Sequence, residues 1–177
     1  MAQGLVDRMR GAAALDVATY EEVENDLTAT GQAATVVAIA AVAAAIGASR
    51  QGSGGVIATL LASLLGWALW AGVTYVVGTK LMDGTATWGE LLRTLGFAQS
   101  PRILLVLGII PVLGRLVVLV VGIWTLVTGV VAIRQALDIT TGKAIVTAVV
   151  SLIAIIVVTA VLGTIFGVGA ALSMRGA

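Results

Sequence analysis

Apolar residues fall first into an amphipathic stretch and then into long, almost uninterrupted runs. From Met1 to about Leu27, the residues Leu5, Met9, Ala13, Tyr20, Val23 and Leu27 recur three, four or seven positions apart, on one stripe of a helix. We expect residues 1–28 to form an amphipathic helix lying along a membrane surface. Its polar face is mostly acidic and is repelled by anionic lipid, so packing against the chain's own loops or a partner suits it better than free lipid binding.

The runs that follow suit a membrane, whose hydrocarbon of about 30 Å takes about 20 residues of helix to cross. A first span covers about 29–48 and is dense in alanine, with small residues four apart that permit close helix contact. Gln51 to Gly55 is a Gly/Ser turn, and a second span covers about 56–78. In the polar interval Thr79 to Ser100, Trp88, Leu91, Leu92 and Leu95 alternate with Glu90 and Arg93 at helical spacing, predicting a short interfacial helix that ends at Gly96.

From Pro101 to Ile133 a single helix would be about 48 Å long, too much for one crossing without strong tilt. Pro111 lacks an amide donor, Gly114 is flexible and Arg115 is costly at depth, so the three together mark a turn. The run divides into a short third span, 97–113, and a fourth, 116–133, with a fifth at 144–172. The expected fold is therefore an all-α polytopic membrane helical bundle: five transmembrane helices, residues 29–177, preceded by the amphipathic surface helix.

Composition agrees, with 59% hydrophobic residues, 11% charged and a mean hydropathy of +1.11. With five spans and an inner N terminus, Arg8, Arg10, Lys80, Arg93, Arg102, Arg134 and Lys143 lie inside and Arg50, Arg115 and Arg175 outside, the bias of the positive-inside rule. This leads us to expect the N terminus in the cytoplasm and the C terminus outside. The acids scattered through the first thirty residues do not suit a cleaved secretory signal, so Met1 is expected to remain.

The chain has no cysteine and no histidine, which removes thiolate nucleophiles, disulfides, Cys/His zinc sites and histidine-ligated haem. No cofactor and no metal site is expected. A net charge of +1 offers no basic field for nucleic acid. No GxSxG elbow, P-loop or facing pair of carboxylates is present, so the chain is not expected to be an enzyme.

Four groups of residues remain as candidates. Gly163 and Gly167 form a GxxxG pair suited to helix packing. The run Tyr20, Glu21, Glu22, Glu24 and Asp26 is either a partner-facing surface or the wet side of a surface helix. Thr125, Thr128, Thr147 and Ser151 are either packing hydroxyls or a polar seam between the last two spans.

The fourth group carries a resemblance. Leu15-Asp16 through Tyr20-Glu21-Glu22-Val23-Glu24-Asn25-Asp26, together with Leu95-Gly96-Phe97-Ala98-Gln99-Ser100-Pro101, resembles the Yip1 family in its bacterial form. Gly96, Phe97 and Pro101 are similar to the family's Gly-Tyr-x-x-x-Pro stretch, with phenylalanine for tyrosine, and Arg134-Gln135-Ala136-Leu137 also fits. The resemblance implies a five-span membrane protein. Eukaryotic members work with Rab-type GTPases, but their Asp-Leu-x-Gly-Pro motif is here Asp26-Leu27-Thr28-Ala29-Thr30, so that role is not carried over.

The reading that follows is a non-catalytic membrane-organising or partner-binding protein whose partners are the lipid bilayer and other membrane proteins or a second copy of itself. An accessory subunit of a larger membrane complex and a channel or carrier for a small neutral or lipophilic solute are the alternatives.

Overall fold

A computed structural model describes residues 4–49 and 56–175, and every regular element among them is helical. The amphipathic stretch forms two helices, α1 (Leu5–Ala13) and α2 (Val17–Asn25), rather than one. The break has a local cause. Leu15 takes a left-handed backbone (φ 64°), and Asp16 caps α2, its carboxylate accepting from the amide of Ala18 at 3.3 Å and the hydroxyl of Thr19 at 2.7 Å. Aspartate favours this cap over a continuous helix, which corrects the expected single surface helix.

Helix α3 (Ala29–Ala48) coincides with the first expected span, and α4 (Val56–Leu81) extends the second by three residues. The Gly/Ser turn between them lies outside the described residues. The interfacial helix α5 (Trp88–Phe97) opens with a capping box, in which Thr87 and Glu90 each satisfy the other's backbone amide. Helices α6 (Leu113–Ala136) and α7 (Thr141–Arg175) complete the chain. Among the described residues four helices, α3, α4, α6 and α7, are long and apolar enough to cross a membrane.

The expected third span is different in kind. Residues 97–113 are shared among the end of α5, a 3-10 helix over Ser100–Ile109, a turn and the first residue of α6. A Cβ on Gly96 would stand 2.7 Å from that of Ala33, and Gly108 lies against the backbone of Gly47. The chain thus follows α3 from Ala33 to Gly47, a rise of about 21 Å, in only 12 residue steps from Gly96 to Gly108. An α-helix of that length rises about 18 Å. The 3-10 form gains about 2.0 Å per residue and makes up the difference.

The turn after it is tighter and earlier than the sequence suggested. The amide of Leu113 donates to the carbonyl of Pro111 at 2.8 Å around Val112 (φ 67°, ψ −54°), a γ-turn of the uncommon positive-φ kind. Gly114 and Arg115 consequently belong to the first turn of α6.

Side-chain burial is concentrated where α1, α2 and α5 meet the ends of α3 and α6, around Tyr20, Val23, Leu91, Leu95, Phe97 and Ile133. Along α6 and α7, Leu119, Ile123, Leu126, Val149 and Ile153 stay exposed. So much uncovered aliphatic surface on long apolar helices is the outer face of a multi-pass membrane protein.

Candidate functional site

Polar chemistry gathers at the end of the bundle where α1, α2 and α5 pack. Arg8 is its hub, 1% exposed, and ties three helices together. Nη2 donates to Oε1 of Glu22 at 2.9 Å and to Oδ2 of Asp26 at 2.6 Å, and Nη1 donates to Oε1 of Gln32 at 2.9 Å. Burial works against the Arg8 charge, yet the two carboxylates outweigh it and raise its pKa. Asp26 is held down to about 2 by the amide and hydroxyl of Thr28 and by Arg8.

Arg93 plays a matching part from α5. Its guanidinium donates to the carbonyls of Val23 (3.0 Å) and Glu24, the closing carbonyls of α2, where a cation satisfies free acceptors and the helix dipole together. The end of α1 is pinned similarly. Trp124 donates to the carbonyl of Ala13 at 2.8 Å, and the Tyr20 hydroxyl donates to that of Ala12 at 3.0 Å. Two short helices are thereby fixed to the bundle through their C-terminal carbonyls.

An acidic surface remains on the outside of this platform. Glu24 is pushed up to about 7, first by burial and then by the negative fields of Asp138, Glu90 and Glu21, against the opposing pull of Arg93. Glu21 accepts from Nε2 of Gln135 at 3.2 Å, and Asp138 accepts from the Thr85 hydroxyl at 3.2 Å. Four acids from three parts of the chain, α2, α5 and the turn after α6, therefore share one region. Asp138 and Glu90 escape a reading of the sequence, since they lie 114 and 66 positions from Glu24, and no periodicity spans such separations.

The candidate residues fall as follows. Glu21 is exposed, Glu22, Glu24 and Asp26 are half-buried, and Tyr20 is fully buried. Tyr20 is therefore a core residue rather than a partner-facing one, because its ring fills the gap between α1 and α6 while its hydroxyl is spent on backbone. Gly96 allows α5 to touch α3, Phe97 is buried in the core, and Pro101 sits in the first turn of the 3-10 helix.

The hydroxyls of Thr125 and Thr147 donate to Val121 and Lys143, one turn back, and that of Thr128 donates to Ala98 at 2.7 Å. Among the described residues no hydrogen bond joins the α6 pair to Thr147 or Ser151. The Ser151 hydroxyl on α7 and the Thr74 hydroxyl on α4 are buried with no partner among those residues. Gly163 and Gly167 fall on α7, and their packing lies outside the described residues.

The arrangement can anchor, cap and present charge. A family model described as the Yip1 domain matches residues 17–162, from the start of α2 into α7, so the resemblance read from the motifs holds over most of the chain. No curated protein and no solved structure matches.

Proposed function

The chain belongs to the Yip1 family, and on that premise we propose a non-catalytic scaffold or adaptor of the bacterial cytoplasmic membrane, which binds other proteins through its acidic platform. The observation that carries this reading is the convergence of Glu21, Glu24, Glu90 and Asp138 on one fixed surface. Their mutual repulsion disfavours the free platform, and a basic partner segment would relieve it.

Five passes fit this reading, with the platform in the cytoplasm and the C terminus outside. The 3-10 segment accompanies α3 from Ala33 to Gly47, which supports counting it as the third crossing. Labelling decides the topology. The chain has no cysteine, so Gly54→Cys and Asp138→Cys can be probed from outside intact cells without background. Five passes require Gly54→Cys to react and Asp138→Cys to stay protected. If the 3-10 segment returned to its starting side, both would react.

The adaptor role is tested by purification of the tagged chain from native membranes in mild detergent, with quantified stoichiometry, beside a Glu21→Lys/Asp138→Lys variant. A protein recovered with the wild type and lost from the variant supports it. Identical recoveries, or a chain that always travels alone, overturn it.

A further inference from the structure

Arg102 stands apart from the other basic residues. It lies on the 3-10 helix between the level of Gly96, at the inner end of α3, and that of Gly108, at the outer end. Its charge suits an inner polar segment, whereas the fold carries it along the bundle on the 3-10 helix. Its guanidinium makes a polar contact with Gln99, Nη1 donating to Oε1 at 2.8 Å. Among the described residues no carboxylate lies within ion-pair distance of it. Arg102 is half-buried, whereas the buried cations Arg8 and Arg93 are taken up by carboxylates or by several carbonyls.

An arginine at membrane depth is expensive and is retained where a partner meets it. Arg102 lines a cavity of about 490 Å³ between α4, the 3-10 helix and α7. Its polar lining is Gln99, Thr59 and Ser63, and its apolar walls include Trp67, Trp70 and Ile155. The indole N–H of Trp67 is already spent on the carbonyl of Leu92 at 3.0 Å, so that ring presents apolar surface. The cavity therefore offers a fork of N–H donors beside hydroxyl groups, within an otherwise apolar wall.

We infer that this cavity binds an anionic phospholipid, with its phosphate on Arg102 and Gln99 and its upper acyl chain along Trp70 and Ile155. The guanidinium fork matches a phosphate oxygen pair in shape and charge. The inference rests on the 3-10 segment being a membrane crossing, and the labelling experiment above tests that point separately.

The probes are phosphatidylglycerol, phosphatidylcholine and soluble glycerol phosphate. Lipid held by the full chain is read by native mass spectrometry and by tryptophan fluorescence, on wild type, Arg102→Gln and Arg102→Lys, with Arg115→Gln as a control cation at the outer turn. We expect wild type and Arg115→Gln to hold phosphatidylglycerol over phosphatidylcholine. Arg102→Gln should bind it about tenfold more weakly or worse, the loss of a charge-assisted contact, with Arg102→Lys between the two.

Equal retention of both lipids by the wild type overturns the proposal without recourse to any variant. So does unchanged selectivity in a folded Arg102→Gln. Glycerol phosphate competing as well as the lipid itself would make the ligand a soluble phosphate and overturn the lipid assignment.

Discussion

Arg8 holds its place through partners 14, 18 and 24 positions along the chain. Replacing it with glutamine leaves Glu22 and Asp26 facing each other. Both acids keep some water, so the loss is smaller than for a fully buried pair, about 2 kcal/mol, seen as a lowered unfolding midpoint in detergent. Glu24 sets a pH dependence. Its carboxyl is raised in the folded chain from an ordinary value of 4.5 to about 7, so the folded state takes up its proton more readily than the unfolded state does. That contribution to stability is greatest below pH 4.5 and is lost as pH rises through 7. Glu24→Gln should flatten the midpoint over that window, while Asp26, held down to about 2, acts only below about pH 4. These roles were closed to the sequence because they depend on which charges the fold brings together. The acidic run was visible; that Glu22 and Asp26 face inward onto Arg8 was not.

At the scale of elements, apolar runs dictated the spans well, because a membrane asks only for length and the absence of charge. Helix α3 coincides with its expected bounds, and the edges of α4, α6 and α7 shift by a turn or less. Breaks and unusual helices were less legible. The cap at Asp16 offered a signal, an aspartate three residues before a threonine, but the apolar stripe runs past it without a change of phase. The 3-10 geometry is set by the distance between Ala33 and Gly47 on another helix, which no local pattern encodes. Two substitutions probe such local choices. Val112 is β-branched, 92% exposed and held at positive φ, so Val112→Gly relieves strain while losing almost no packing and should raise stability by about 1 kcal/mol. Thr74→Val removes a buried hydroxyl without a partner among the described residues and keeps its shape. It should leave stability unchanged or raise it by about 1 kcal/mol, read from the same midpoints.

For the molecule as a whole, packing at the Gly47 end of α3 is backbone against backbone. A Cβ on Gly47 would strike the carbonyl of Leu105, which the 3-10 helix holds and which cannot turn aside as a side chain could. Gly47→Val should therefore part α3 from its neighbour and cost at least about 2 kcal/mol, measured as lost thermal stability and faster proteolysis of the Ser100–Ile109 segment.

The shortness of that segment also bears on how the chain is made. Ten residues of 3-10 helix carrying an arginine have too little greasy length to leave the insertion machinery unaided. On the five-pass reading they enter the lipid only once α6 has been synthesised behind them and can go in with them as a hairpin. A nascent chain stalled at residue 112 would then leave the segment waiting at the cytoplasmic surface. One released after residue 136 would draw it across.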